Sequence, residues 1–161
     1  MNSCVFPGSF DPVTKGHLDL IERISRIFDR VTVTVMINPQ KKASISPDNR
    51  VMLLRKCCSP LPNVIIDSWD GLLADYLRFR NETVVVRGIR NSLEYESEMA
   101  AHQANHLLYD RLETLFLPSS PQYSGVSSSA VKEILSFGGN ISAFVPQAVT
   151  EEIQQLLSNI K

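Results

Sequence analysis

Apolar and polar residues alternate along the chain with two different periods. Short runs rich in β-branched residues, such as residues 31–37 and 83–87, have the composition of buried strands. Between such runs, apolar residues recur every three or four positions, as in Leu18, Ile21 and Ile24, which is the spacing of one helix face. The pattern therefore predicts a chain in which strands and helices alternate.

The predicted elements form a doubly wound α/β domain. The strands are expected over residues 2–6, 31–37, 63–68, 83–87 and 113–117. The helices are expected over residues 16–28, 46–58, 71–80, 92–110, 128–136 and 147–159, with a short helical piece near 140–144. Strands interleaved with helices favour a five-stranded parallel sheet with right-handed crossovers, a Rossmann-like architecture. No repeat or linker divides the sequence, so we expect a single domain over residues 1–161.

Composition excludes several classes of protein. The formal net charge is -1, from 16 basic and 17 acidic residues, which argues against binding nucleic acid or an anionic membrane through the overall field. We find no apolar run of membrane-spanning length and no signal peptide. Cys4, Cys57 and Cys58 form neither a disulfide framework nor a zinc ligand set. These features predict a cytoplasmic protein whose cysteines are reduced core residues.

The loop after the first strand contains the first candidate ligand site. In a doubly wound sheet, ligands bind beyond the carboxyl ends of the strands. Gly8-Ser9 allows close backbone approach there, and Gly16-His17 lies at a helix N-terminus, where free N–H groups favour phosphate. A protonated histidine in a first turn is disfavoured by the helix dipole unless an anion compensates. His17 is therefore either an ordinary helix-start residue or, as the preceding glycine and turn favour, a ligand contact.

Basic residues follow two further strands. Arg87-Gly88-Ile89-Arg90 comes directly after residues 83–86, and burying an unpaired guanidinium is costly. These arginines could pair with Glu94 or Glu96 on the next helix, but phosphate binding is the preferred interpretation. Lys41 and Lys42 are solvated in the simpler interpretation, although their loop lies at the same sheet edge.

The remaining candidates lie at helix starts. Glu94, Glu96 and Glu98 are ordinary complements of a helix dipole. The serines at 127–129 are either caps or phosphate donors. Together with the cations, these groups suit a polyphosphate. We find no Ser/His/Asp triad and no protein metal-ligand spacing.

Several segments resemble a known family in order and spacing. Thr14-Lys15-Gly16-His17 resembles the [H/T]-x-G-H signature of the nucleotidyltransferase superfamily. Residues 6–12, 87–90 and 126–133 extend the resemblance, over essentially the whole chain, to phosphopantetheine adenylyltransferases of bacterial type. The resemblance implies a Rossmann-like nucleotidyltransferase fold and adenylyl transfer from ATP to 4′-phosphopantetheine, giving dephospho-coenzyme A and pyrophosphate. It also implies Mg²⁺ as cofactor and a homohexamer.

The resemblance also implies roles for individual residues. His17 and Lys41 match catalytic positions that meet the charge developing in the transition state. Phosphopantetheine-binding positions correspond to Ser9, Lys41, Leu73 and Arg87. ATP-binding positions correspond to Ser9, Phe10, His17, Gly88, Ile89, Arg90, Glu98, Tyr123, Ser124, Gly125, Val126, Ser127, Ser128 and Ser129. Ser9 stands where threonine is usual, and Gly125 where relatives carry a bulkier residue.

Three alternatives remain at this point. A related nucleotidyltransferase could use nicotinamide mononucleotide, or glycerol phosphate with CTP, but Thr14 replaces the first histidine usual in those signatures. A nucleotide-binding sensor without catalysis would not need both His17 and Lys41. A purely structural subunit would leave the strand-end arginines unexplained.

Overall fold

Parallel strands form one twisted sheet at the centre of the molecule, which a computed structural model describes over residues 2–40 and 42–158. The strands are β1 (Ser3–Gly8), β2 (Arg30–Ile37), β3 (Val64–Asp70), β4 (Val84–Ile89) and β5 (Glu113–Pro118). Their order in the sheet is β3-β2-β1-β4-β5, and every neighbouring pair is parallel. The predicted five-stranded doubly wound α/β fold is confirmed, with its switch point between β1 and β4.

Six α-helices connect and follow these strands in the described part of the chain. They are α1 (Lys15–Ser25), α2 (Pro47–Cys58), α3 (Leu73–Arg80), α4 (Ser92–Leu108), α5 (Ser128–Ser136) and α6 (Thr150–Ser158). Short 3₁₀ turns at Pro121–Tyr123 and Gln147–Val149 precede the last two helices. The crossovers from β1 to β2 and from β4 to β5 thus pass through α1 and α4, the two helices nearest the switch point.

Some predicted helix boundaries were wrong. The piece near 140–144 is a turn, because the Asn140 side chain accepts the Ser142 N–H and offers the backbone a local alternative to helix. The third helix starts at Leu73 rather than at 71, since Gly71 has a φ of 141°. The last helix begins at Thr150 after a 3₁₀ turn, and its predicted end at 159 lies outside the described residues.

Both faces of the sheet are covered, but unequally. On one face, Ile21, Leu53, Val131 and Ile153 of four different helices are completely buried. The other face has a smaller cluster around the fully buried Tyr76. Cys4 and Phe6 belong to the first cluster and Val5 to the second, so β1 is buried on both faces, as expected of a central parallel strand.

The cysteines agree with the prediction that they are core residues. Cys4, Cys57 and Cys58 are free and buried, and burial raises the pKa of Cys58 to about 12, so this thiol stays protonated at neutral pH. Across residues 2–40 and 42–158, every helix is too short or too polar to cross a bilayer.

Gly88 allows α1 to pack closely on the end of β4. A β-carbon added at this position would overlap the δ-methyl group of Leu20, whose side chain is buried in the main core. Leu20 lies one turn after His17 on α1. The first turns of α1 can therefore lie this close to β4 only because residue 88 is a glycine.

We expect Gly88→Ala to lower the free energy of unfolding by about 1–3 kcal/mol, because the new methyl group overpacks the core around Leu20. Gly125→Ala is the matched control. A β-carbon there meets nothing within 4 Å, so its effect is expected to stay within about 0.5 kcal/mol. Urea denaturation of the two variants measures the difference, and equal stabilities would contradict the packing argument.

Candidate active site

A cavity of about 340 Å³ opens at the carboxyl ends of β1 and β4. Its walls come from the loop after β1, the end of β4 with the start of α4, and residues 119–129. The predicted residues that line it are Ser9, Phe10, His17, Arg87, Gly88, Arg90, Glu98, Tyr123, Val126, Ser127, Ser128 and Ser129. Segments far apart in sequence therefore meet at the switch point of the sheet, where ligands of such folds bind.

The other predicted residues lie elsewhere. Leu73 lines a second, smaller cavity, described below. Ile89, Ser124 and Gly125 do not line the first cavity in the described structure, and the Ser124 hydroxyl donates to the carbonyl of Pro121. Lys41 lies outside the described residues.

His17 is held at the start of α1 by reciprocal hydrogen bonds with Thr14. The His17 N–H donates to Oγ1 of Thr14 over 3.3 Å, and the Thr14 N–H donates to Nδ1 of His17 over 3.1 Å. Together they form a capping box with histidine in the place usually taken by glutamate. Because a backbone N–H can only donate, Nδ1 is unprotonated and the ring proton lies on Nε2.

The surroundings of His17 keep its imidazole neutral. Burial, followed by the positive charges of Arg90 and Arg87, lowers its pKa from 6.5 to about 4. Phe10 packs edge-on against the ring, with centroids 5.1 Å apart. At neutral pH, His17 thus presents a neutral Nε2–H donor at the cavity rather than a cation.

The strand-end arginines are paired with carboxylates of α4. Nε and Nη2 of Arg87 donate side by side to the two carboxylate oxygens of Glu98, over 2.7 and 2.6 Å. Its third nitrogen donates to the carbonyl of Pro7. The sequence left Glu94 and Glu96 open as alternative partners of the strand-end arginines, but Arg87 pairs with Glu98, which lies one turn further along the helix than Glu94.

Arg90 has a similar arrangement nearer the surface. Its guanidinium pairs with Glu94, and its backbone N–H donates to the same carboxylate over 2.9 Å. Nη1 also donates to the carbonyl of Val126 over 3.1 Å, which joins the loop between β4 and α4 to the segment before α5. Burial raises the pKa of Glu94, but hydrogen bonds from the guanidinium and the backbone N–H of Arg90 to its carboxylate outweigh this and hold the pKa below its usual value.

The loop between β1 and α1 is anchored through the buried carboxylate of Asp11. Its oxygens accept the N–H groups of Ser44 and Ile45 over 2.9 and 2.8 Å, and Nζ of Lys132 lies 3.2 Å away. Arg50 adds a hydrogen bond from its guanidinium to the carbonyl of Ser9. Three segments, the loop before α2, α2 itself and α5, therefore fix the loop after β1 that lines the cavity.

The serines before α5 have separate tasks. Ser127 is the N-cap, accepting the N–H of Ala130 over 3.1 Å. The Ser128 hydroxyl donates to the carbonyl of Pro12 and so ties α5 to the first loop. Ser129 is exposed at the cavity. The three serines thus combine structural roles with a position facing the ligand. The N-termini of α1 and α5 both face the first cavity.

A second cavity of about 140 Å³ adjoins the first. The two share Pro7, Arg87 and Glu98, so the Arg87–Glu98 ion pair stands at their boundary. Most of the smaller cavity is aliphatic, and its other residues are Met36, Leu73, Val85, Ala101, His102, Asn105, Leu112 and Thr114.

Sequence reasoning missed several residues of both cavities. Glu94, Ser97 and Ser119 line the first in addition to the predicted set, and His102 and Asn105 line the second. A signal was present in α4, because positions 94, 98, 102 and 105 recur with the spacing of one helix face. Polar residues at that spacing on a helix that follows a central strand would have pointed to the site.

The chain resembles known proteins over nearly its whole length. The Cytidylyltransferase-like family model matches residues 5–134. A phosphopantetheine adenylyltransferase of Clostridium perfringens is 43% identical over 157 residues, which cover 98% of this chain and 96% of that protein. The chain belongs to the phosphopantetheine adenylyltransferase family. Another member, from Picosynechococcus sp., is 46% identical over 94% of this chain and 85% of its own length.

Phosphopantetheine adenylyltransferases are nucleotidyltransferases, and their fold extends beyond close relatives. A solved Vibrio parahaemolyticus structure, of a protein named as a nicotinate-nucleotide adenylyltransferase, superposes with a TM-score of 0.66. The match covers 99% of this chain and 93% of that one at 20% identity, so it supports the Rossmann-like fold.

The low pKa of His17 predicts a pH dependence of stability. Between pH 6.5 and about 4 the unfolded chain binds a proton at this histidine and the folded chain does not, so this contribution is lost as pH falls through that window. His17→Gln removes the titration and keeps an acceptor for the Thr14 N–H. We expect the wild-type free energy of unfolding to fall relative to that variant over this range. Urea denaturation at stepped pH measures it, and parallel pH curves would contradict a neutral His17.

Proposed function

We propose that the chain transfers the adenylyl group of ATP to the phosphate of 4′-phosphopantetheine, giving dephospho-coenzyme A and pyrophosphate. The observation that carries this proposal is the pair of adjoining cavities with Arg87 at their boundary. The larger one offers two helix N-termini and Arg90 to a polyphosphate. The smaller and mostly aliphatic one suits a slender chain attached to the acceptor phosphate. The names and high coverage of the relatives support the same reaction.

The chemistry requires positioning rather than a general base. An acceptor phosphate oxygen is already ionised near neutral pH, so it can attack the α-phosphorus directly. The new O–P bond forms as the bond from the α-phosphorus to the bridging oxygen breaks, and pyrophosphate leaves with that electron pair. The obstacle is holding two polyanions together while negative charge shifts toward the leaving group.

The residues of the site divide this work by location. His17 donates from Nε2 to an α-phosphate oxygen, and the positive end of the α1 dipole faces the same phosphate. Arg90 and the start of α5 hold the β- and γ-phosphates, and Arg87 holds the acceptor phosphate. Glu94 and Glu98 compensate the two arginines before substrates bind, which avoids unpaired cations in the cavity.

We propose that Lys41 completes the site as the cation that binds the acceptor phosphate and the α-phosphate. Residues that follow it in sequence belong to this edge of the sheet: β2 is next to β1, and the N–H groups of Ser44 and Ile45 donate to the carboxylate of Asp11.

Mg²⁺ fits this site as a partner of the nucleotide. Among residues 2–40 and 42–158, no group of three or more His, Cys, Asp or Glu side chains is placed to hold a metal ion. The cavity does offer oxygen donors, from Ser9, Glu94 and Glu98. We expect Mg²⁺ to be held mainly by phosphate oxygens and water, where it neutralises phosphate charge.

We further propose a homohexamer that acts in the cytoplasm, with no nucleic-acid or membrane partner. Large apolar side chains are exposed around α3 and α4, among them Phe79, Leu93 and Leu107, which are 71%, 76% and 89% exposed. Exposed apolar groups at this density favour contact with further copies of the chain. Native mass spectrometry of the purified protein tests the number of subunits, and a monomer would contradict the proposal.

Pyrophosphate release with ATP, Mg²⁺ and a panel of acceptors tests the reaction itself. We expect release with 4′-phosphopantetheine and none with nicotinamide mononucleotide or glycerol phosphate. Release with nicotinamide mononucleotide alone would replace the proposed acceptor, and ATP binding without release in any mixture would favour a nucleotide sensor.

We expect His17→Ala to lower kcat by about 100-fold while leaving the Kd for ATP within about threefold, because the lost donor matters most in the transition state. His17→Gln should recover part of the rate, since its amide can also donate. Stopped-flow or coupled pyrophosphate assays give kcat, and calorimetry gives the Kd. Near-normal turnover of the alanine variant would remove His17 from this role.

A further inference from the structure

The far wall of the smaller cavity contains polar groups that the reaction described above does not use. His102 and Asn105 of α4 and Thr114 of β5 lie among aliphatic neighbours such as Leu112. None of these three groups is a carboxylate or a guanidinium, so the charged groups of this cavity, Arg87 and Glu98, stand at its boundary with the first. Neutral hydrogen-bonding groups in an apolar wall suit an uncharged polar group of a ligand, such as an amide.

The orientation of the His102 side chain in this wall is fixed by a hydrogen bond. Its Nδ1 lies 3.0 Å from Oγ1 of Thr114, a hydrogen bond that joins α4 to β5. Its ring packs beside that of His106, with centroids 5.6 Å apart. With Nδ1 committed to Thr114, the other ring nitrogen, Nε2, is the one left for a ligand.

The hydrogen bond between Nδ1 and Thr114 can run in either direction, so Nε2 can act as a donor or as an acceptor toward a ligand. If the Thr114 hydroxyl donates to Nδ1, Nε2 carries the proton and can donate to a carbonyl. If Nδ1 donates to the hydroxyl, Nε2 accepts from an N–H. An amide offers both partners, whereas a phosphate or a carboxylate offers only acceptors.

We propose that His102 is a specificity-determining residue, whose Nε2 hydrogen-bonds an amide in the acceptor arm remote from the reacting phosphate. This inference rests on the proposed function, because it places the acceptor phosphate at Arg87 and its arm in the smaller cavity. His102 lines the smaller cavity and does not line the larger one, in which the proposed function places the nucleotide. The residue therefore affects the choice of acceptor and leaves nucleotide binding alone.

The matched control is His106, one turn further along α4. It has the same side chain, packs against His102 and also joins α4 to the chain before β5, its Nδ1 donating to the carbonyl of Leu112 over 3.0 Å. It does not line the described cavity. A loss caused only by loosening α4 should follow from either histidine, whereas a loss of acceptor recognition should follow from His102 alone.

The experiment measures kinetics of the full-length chain with ATP, Mg²⁺ and two acceptors, 4′-phosphopantetheine and a phosphorylated analogue truncated after its inner amide. We expect His102→Ala to raise the KM for 4′-phosphopantetheine about tenfold, with kcat and the KM for ATP within about twofold. His102→Gln should restore most of the affinity, and His106→Ala should match wild type. The truncated acceptor lacks the outer amide, the one further from the phosphate. If that amide is the partner of His102, His102→Ala should leave the KM for the truncated acceptor unchanged.

Each contrary result has a defined meaning. An unchanged acceptor KM in His102→Ala overturns the inference, as does an equal rise in His106→Ala or a parallel rise in the KM for ATP. If His102→Ala does not fold, His102→Phe keeps a ring without nitrogen atoms, and equal acceptor KM values for His102→Phe and His102→Gln overturn the inference. Wild-type enzyme that releases no pyrophosphate with 4′-phosphopantetheine overturns the proposed function, whereas active wild type with unaffected variants overturns this inference alone.

Discussion

The reciprocal hydrogen bonds between Thr14 and His17 connect the fold to the chemistry. The first N–H groups of any helix lack partners within the helix, and these bonds supply such partners at the start of α1. The same bonds fix which nitrogen of the imidazole carries the proton. A glutamate in the same capping position would satisfy the backbone equally well but would bring negative charge to a phosphate site. Histidine instead gives a neutral donor, because burial, helped by the nearby arginines, lowers its pKa. Local helix capping and phosphate recognition are therefore met by one residue pair.

The ion pairs of the two arginines follow from the same electrostatic constraint. A site that receives two polyanions needs concentrated positive charge, and such charge is costly to leave unpaired when no substrate is bound. Glu98 and Glu94 compensate Arg87 and Arg90 from successive turns of α4. Because the chain as a whole is nearly neutral, the positive charge that meets the polyanions has to come from local groups such as these arginines. Substrates then compete with carboxylates that are already in place, which favours ligands carrying several phosphate oxygens.

The sequence was most informative where local chemistry decides structure. Residues 83–86 predicted a central strand because they are apolar on both faces, and Ser46-Pro47 predicted the start of α2. The turn at 140–144 was mispredicted because one asparagine side chain outweighs a weak helical pattern. The partner of Arg87 could not be predicted from the sequence. Glu94, Glu96 and Glu98 are chemically identical, and which of them faces Arg87 depends on how α4 packs. His102 and Asn105 of the smaller cavity were missed because their spacing shows only that they share a face of α4, whereas the surroundings of that face exist only once α4 lies against β5.

Helix α4 links the two halves of the site, and its own position is weakly determined by the core. None of its residues is buried in the described structure, although its neighbours β4 and β5 are paired along their whole length. Polar contacts with the rest of the chain hold it instead: Glu98 with Arg87, His102 with Thr114, and His106 with the carbonyl of Leu112. The same face of the helix that makes these contacts also lines both cavities. A helix held by polar contacts, with apolar residues such as Leu93 and Leu107 exposed, is expected to be steadied by neighbouring copies of the chain. Assembly and acceptor recognition would then depend on the same helix, because packing on its outer face fixes the side chains on its inner one.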